Sequence, residues 1–398
     1  MSKACARCLH EDVHPFGISY IDNLCSGCHV HNEKNFIDWH LRSQYLYDIA
    51  SNAKKSRILG STYDCVVPIK GIAEDYYVIE QVLKLDLNPL IVAVNDYFFN
   101  DIGWHNLHNL ITVFDLDSQI YSPNLHEYKE LISTSFRKHL HILYPSLSLN
   151  SSYPIHVAIE RNIPLIIWGQ LQAIEQVGKF SHLDLVEMTK WSHIEHDRIG
   201  LDIDQLIGNG AQLNPQHLNY YEHPLKAEVL GSKAPTGIYL SNYMRWDPLQ
   251  QNHSTLKYGF KPQFESTTFD PYERSGSSVY YTIHDISRLS RHGYRKVRDH
   301  INREIRHNRI DKSNGIELYN YYKSKKVNLN PFFDWLGVSD SGKEWILKHL
   351  LFKLNDLIGE DQDSQSYTLP DLLPDSIKNM VRTSHLQTNQ FIPFAKGI

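Results

Sequence analysis

Two cysteine pairs, Cys5-x-x-Cys8 and Cys25-x-x-Cys28, constrain the N-terminus more tightly than any other feature constrains the rest of the chain. Each pair presents two thiolates from one tight turn, and two such turns complete a tetrahedral sulfur shell of the zinc-ribbon or knuckle kind. Four cysteine ligands leave no open coordination position, so the spacing predicts a structural Zn2+ site rather than a catalytic one. Two other readings compete. Cys25-Ser26-Gly27-Cys28-His29 also has the form of a haem c attachment site, which requires export and leaves Cys5 and Cys8 without a role. Four ordinary reduced thiols are the plain alternative. The fifth cysteine, Cys65, lies inside a β-rich run and reads as a small buried hydrophobe.

Bulk properties set the outer limits. At 398 residues with 41% hydrophobic positions, the chain is long enough to bury a sizeable core and to divide into domains. A formal charge of −5 provides no basic field for nucleic acid. No run of about 18 apolar residues suggests a membrane span, and no apolar segment follows the first basic residue as in a secretory signal. With cysteines in metal-type pairs rather than a disulfide pattern, a cytoplasmic protein is expected. His182, His193 and His196 lie near carboxylates but complete no recognised ligand motif, and are expected to be exposed helix residues.

Along the chain, strand-like and helix-like segments alternate. A helix is expected over 35–53, with Phe36, Trp39, Leu41, Tyr45 and Leu46 on its apolar face. Strands follow at 63–69, 89–94, 119–121 and 164–169, separated by helices at 72–85, 102–113, 125–140 and 155–161. This alternation predicts an α/β fold with a parallel sheet covered by helices on both faces. Ligands bind such sheets beyond the carboxyl ends of the strands, which puts the Ile69–Asp75 and Gly169–Gln172 turns on one rim. The second half is rich in Tyr, Asn and His, and its most marked feature is a basic stretch from Arg288 to Lys312. A polar, acidic segment at 359–366 reads as a linker.

The cysteine pairs, Phe36-Ile37-Asp38-Trp39, Tyr63-Asp64-Cys65-Val66-Val67-Pro68 and Asn162-Ile163-Pro164-Leu165-Ile166-Ile167-Trp168-Gly169 together resemble the N-acetyl sugar amidotransferases. Tyr239-Leu240-Ser241-Asn242-Tyr243, Trp246-Asp247, Gly293-Tyr294, Asp299-His300 and Ile305-Arg306-His307-Asn308-Arg309-Ile310 match in the same order, so the resemblance runs from about residue 4 to about residue 350. It implies a PP-loop ATP pyrophosphatase (HUP-like) body. The implied reaction converts an acetamido group on a nucleotide-linked sugar to an acetamidino group, in lipopolysaccharide or flagellin glycan synthesis. ATP with Mg2+ would adenylate the amide oxygen, and ammonia would come from separate glutaminase and barrel subunits. On this reading residues 1–34 are a four-cysteine zinc module, 35–235 the PP-loop-like domain, 236–358 a mainly helical substrate or partner region, and 359–398 a linker and tail. Arg306 and Arg309, with Asp299 nearby, are candidates for holding the substrate, since guanidinium groups fork around phosphate oxygens. The alternative for that stretch is a solvated helix with Glu304 and Asp299 as internal partners.

The phosphate loop departs from the family's Ser-Gly-Gly-Lys-Asp-Ser. The matching residues are Lys70, Gly71, Ile72, Ala73, Glu74 and Asp75. A pyrophosphate cradle needs small residues, a hydroxyl and a cation, and Gly71 alone survives. Glu74 and Asp75 place carboxylates at the positive end of the next helix. Two like charges about 4 Å apart repel by about 4 kcal/mol at an effective dielectric of about 20, which counts against ATP as a cofactor. Gln170, after Gly169, replaces a family Glu; Leu143 and Ser146 stand where the family has a second cysteine pair; and Arg295-Lys296-Val297-Arg298 replaces Gly-Arg-Ala-Thr. Two functions are therefore expected to compete: an altered amidotransferase, and a zinc-stabilised pseudoenzyme that serves an active paralogue.

Overall fold

The computed structural model describes residues 3–14, 17–56, 62–194, 198, 200–201, 203, 214–224, 234–359 and 369–382. Tyr20–Ile21 (β1) and Leu24–Cys25 (β2) form a short antiparallel hairpin that turns through Asp22 and Asn23, both in the left-handed region at φ 48° and 63°. Short polar side chains tolerate that conformation best. Ser26–Glu33 (α1) leaves the hairpin directly, so the second cysteine pair straddles a strand end and a helix start.

The body is a parallel sheet. Cys65–Ile69 (β3), Pro89–Val94 (β4), Ser118–Tyr121 (β5), Leu165–Trp168 (β6) and Thr236–Tyr239 (β7) lie in the order β5-β4-β3-β6-β7. All four neighbouring pairs are parallel. Strand alternation divides the buried side chains between two apolar cores. Cys65, Val67 and Ile69 face one core, with Ala73, Tyr76, Ile79 and Val82 of Ala73–Lys84 (α3) and Leu107 and Leu110 of Asp101–Phe114 (α4). Val66, Leu90, Val92 and Val94 face the other, with Leu131 and Ile132 of Leu125–His139 (α5) and Leu149 and Val157 of Tyr144–Glu160 (α6). A period of two along each strand forces this split, and each face is covered by helices.

Several expectations are corrected in detail. Trp39–Ser56 (α2) buries Arg42, Leu46, Ala50 and Ala53, whereas Phe36 is 84% exposed. Leu41 and Tyr45 are exposed as well, because the buried stripe is built from small residues and a guanidinium bonded to the carbonyls of Asn242 and His182. Helix α6 begins well before the expected 155 and runs through Pro154. Its buried face is rich in serines whose hydroxyls have internal acceptors: Ser146 on Asp96, Ser151 on the Ser148 carbonyl and Ser152 on the Tyr221 carbonyl. His182 and His193 are buried, not exposed, against Trp39 and Trp168 respectively; His196 lies outside the described residues. The fifth strand, β7, lies just past the boundary expected at 235. Beyond the sheet come mainly helices, as expected, and the helix Asp375–Val381 packs on Pro248–Ser254 with Leu373, Ile377 and Val381 buried. Apart from Gly359, the expected linker at 359–366 lies outside the described residues. Among the described residues no helix is long and apolar enough to cross a membrane.

Candidate functional site

The chain moves outward from β3 through β4 to β5, then returns to lay β6 on the other side of β3. A ligand crevice is expected where the two directions part, beyond the carboxyl ends of β3 and β6. A cleft open to solvent lies there. Ile72 and Glu74 line it from the β3 side, and Gln170, Gln172, Glu175 and Gln176 from the β6 side, where Gln172–Glu175 (α7) is a single helical turn. His31 of α1 closes one edge, and the helix Val297–Arg306 with its flanks contributes Lys296, Asp299, His300, Arg303, Arg306 and His307.

The loop after β3 is tied from within by its own side chains. Gly71 sits at φ 72°, a conformation open to glycine, and turns the backbone N–H groups inward. The Asp75 carboxylate accepts from Lys70 N at 2.7 Å and from Ile72 N at 2.9 Å, through the same oxygen. Burial raises Asp75 to about 6, against the opposing pull of those amides. Lys70 Nζ turns away to Asp96 at 2.7 Å, where Ser146 also donates to the same carboxylate oxygen. Glu74 reaches across the rim and accepts from Gln170 N at 2.9 Å and Gln170 Nε2 at 2.7 Å, packed over Gly169. Burial pushes Glu74 up to about 8, so it carries a proton at neutral pH. The Lys70 and Ile72 amides, the Lys70 ammonium and the Glu74 and Asp75 carboxyls of this loop therefore all have internal partners.

The cations of the far wall are paired too. Lys296 Nζ lies 3.1 Å from Glu273, whose other oxygen bonds to His300. Although burial alone would raise it, Lys296 and His300 hold Glu273 well below the usual carboxylate range. Arg303 bonds to Asp270 at 2.8 Å and to Glu304 at 2.6 Å. Burial lowers His31 to about 2 and His307 to about 4, leaving two neutral rings 4.8 Å apart at the cleft edge. Behind them Lys34, buried, meets Glu175 at 2.5 Å, and His182 meets the other oxygen at 3.3 Å. Burial would raise Glu175, but those two partners bring it down to about 2.

The four paired cysteines converge. Cys5, Cys8, Cys25 and Cys28 are all buried, and their sulfurs lie within 4.8 Å of one another. Cys5 Sγ and Cys28 Sγ are 3.8 Å apart, and Cys8 Sγ and Cys25 Sγ 3.6 Å. A tetrahedral thiolate shell with bonds of about 2.3 Å has edges of about 3.8 Å, so the set fits one metal ion. Backbone N–H groups of Cys8 and Cys25 donate to Cys5 Sγ at 3.5 and 3.3 Å. Hydrogen bonds with Cys28 and the other thiols push Cys25 down, and the hydrogen bond with Cys25 pushes Cys8 up.

Of the residues singled out from sequence, Lys70, Gly71, Glu74, Asp75, Gly169 and Gln170 do meet at one rim, and Asp299 and Arg306 line the cleft opposite. Arg306 points to the cysteines instead of forking outward. It donates to the Glu175 and Gln176 carbonyls at 3.2 and 2.7 Å, and its Nη2 lies 3.2 Å from His10 Nδ1 and 4.0 Å from Cys25 Sγ. Gly27 makes this approach possible, because a Cβ there would collide with that guanidinium. Arg309 is held bidentately by Asp247 at 2.8 and 2.9 Å and by Glu304 at 2.5 Å. The basic stretch is not a solvated helix: Arg295, Arg298 and Arg306 are buried among partners. Glu273, Asp270 and Asp96 escaped sequence reasoning, since isolated acids in loops carry no spacing signal.

Fold and site together define an α/β protein with a polar, charge-paired cleft at the switch point of a parallel sheet, braced by a four-cysteine cluster. No protein-family model and no curated protein matches the chain. Among solved structures, it is similar to NMN synthetase from Francisella tularensis at 14% identity and a TM-score of 0.28, over 50% of this chain and 96% of that one.

Proposed function

We propose that this chain is an amidotransferase-like protein of surface-glycan synthesis that has lost ATP chemistry. On this reading it acts in the cytoplasm as a scaffold, or as a sugar-nucleotide-binding partner of an active paralogue. The observation that carries the reading is the Asp75 carboxylate on the amides of Lys70 and Ile72, where a pyrophosphate oxygen would otherwise sit. Lys70 and Glu74 support it, one bound to Asp96 and the other to Gln170. Zn2+ is the ion proposed for Cys5, Cys8, Cys25 and Cys28, since thiolate donors at tetrahedral spacing suit it best. With no open position, that ion stabilises the fold.

The cleft suits a sugar better than a polyphosphate. Gln170, Gln172, Gln176 and Asn252 present amides that can pair with hydroxyl and acetamido groups, while the nearby cations already face carboxylates. Calorimetric titration should therefore give binding of a nucleotide-linked acetamido sugar and none of ATP with Mg2+. ATP binding at micromolar affinity would overturn the reading. An active amidotransferase, fed ammonia by glutaminase and barrel subunits, is the second reading, and the ordered sequence matches favour it.

A further inference from the structure

Between the cysteine cluster and the cleft lies a second group of ligand-type atoms that nothing above uses. His10, His14 and Asp299 are all buried, and each offers a ligand-type atom within 4.8 Å of the others'. Asp299 Oδ1 is 3.6 Å from His10 Nε2 and 3.9 Å from His14 Nε2. These separations are too long for hydrogen bonds. They are close to the edges, about 3.3–3.6 Å, of a tetrahedral shell with bonds of about 2.0–2.2 Å. Among the described residues, His10 Nε2 and Asp299 Oδ1 have no hydrogen-bond partner. We propose that His10, His14 and Asp299 form a second metal site, for a divalent first-row ion such as Zn2+, separate from the four cysteines.

The surroundings fit three ligands of this kind. The nearby cations stand against the far atoms of their neighbours: Arg288 on the other Asp299 oxygen at 3.4 Å, and Arg306 on His10 Nδ1 at 3.2 Å. For His10 to ligate through Nε2, its proton must sit on Nδ1, which is 3.6 Å from Cys25 Sγ. A metal-bound imidazole commonly donates its second N–H to an anionic partner, and a metal-held thiolate is one. Arg306 then keeps the Glu175 and Gln176 carbonyls that it already holds. Two imidazoles and one carboxylate leave a coordination position open, and Asp299 also lines the cleft, so the ion would stand next to a bound ligand.

The Asp270, Glu273 and His300 group is the weaker candidate, because Arg303, Lys296 and Thr268 already satisfy it.

The test is a metal count on the full chain after equilibrium dialysis against low-micromolar Zn2+. Two ions per chain are expected, falling to one in His14→Ala and in Asp299→Asn while the four-cysteine ion is retained. One ion in the unmodified protein, or two retained in His14→Ala, would overturn the site. If both variants fail to fold, Co2+ loading of the unmodified chain decides. A nitrogen/oxygen-type d–d spectrum that titrates separately from the sulfur-to-cobalt charge-transfer band supports it, and a sulfur-type spectrum alone refutes it.

Discussion

Asp75 is the residue on which the loop's behaviour turns. Its carboxylate satisfies two backbone donors of the loop after β3. Asp75→Ala should destabilise the fold by about 1–3 kcal/mol, the usual effect of orphaning partly buried donors. Millimolar inorganic pyrophosphate should then raise the variant's melting temperature by filling the emptied nest and leave the unmodified protein unmoved. Equal stabilisation of both would show that anions bind elsewhere. Glu74 gives a pH signature. Its folded value of about 8 lies above the ordinary carboxylate range because of burial, so the folded state binds the extra proton. Its stabilising contribution is complete below about pH 4.3 and is lost as pH rises through about 8. Urea melts should show stability falling over that window, and Glu74→Gln should flatten the fall; an unchanged slope would place the titration elsewhere. Arg306→Ala removes a buried cation beside four sulfurs and should cost about 3–5 kcal/mol, with metal lost more readily to a chelator.

At the scale of elements, the cysteine module and the helix Val297–Arg306 behave as one unit. Leu9 N donates to Asn302 at 2.7 Å, Arg7 to the Arg306 carbonyl at 2.8 Å, and Lys312 to the Cys5 carbonyl at 2.6 Å. Chelating the metal should therefore raise amide exchange over residues 297–306 as well as 3–33, while β3 and β4 stay protected. Continued protection of 297–306 would mean that the helix stands without the module. Elements with a clean period were legible in the sequence: β4 matches its expected limits, and β3, β6, α3, α4 and α5 fall within two residues of theirs. What escaped had a physical reason. The serine-rich buried face of α6 hides its period, and Pro154 reads as a helix boundary although the helix passes through it. The inner stripe of α2 is Ala, Ala, Leu and Arg, while Tyr45 and Tyr47 face outward.

At the scale of the molecule, the sequence placed one rim of the cleft, but of its far wall only Asp299 and Arg306. Lys70 to Asp75 and Gly169 to Gln170 could be located from strand ends alone, since parallel sheets put their sites there. The opposite wall comes from residues 248 to 307, brought in by tertiary packing that no local pattern announces. The same limit explains the basic stretch. Its charges were visible, but whether they faced solvent, an anion or buried carboxylates depended on Asp247, Asp270 and Asp285, which lie well outside it or on its edge. The cysteine cluster was legible because its ligands carry their own spacing, whereas His10 and His14 meet Asp299 from far away in the sequence.

The central claim is that the loop after β3 is closed to pyrophosphate by the protein's own carboxylate. A pyrophosphate-release assay on the unmodified chain tests it most directly, with ATP, Mg2+, a nucleotide-linked acetamido sugar and ammonia all supplied. No release above the protein-free background is expected. Sustained release that depends on the sugar would contradict it, because Asp75 would then have to leave the Lys70 and Ile72 amides during turnover.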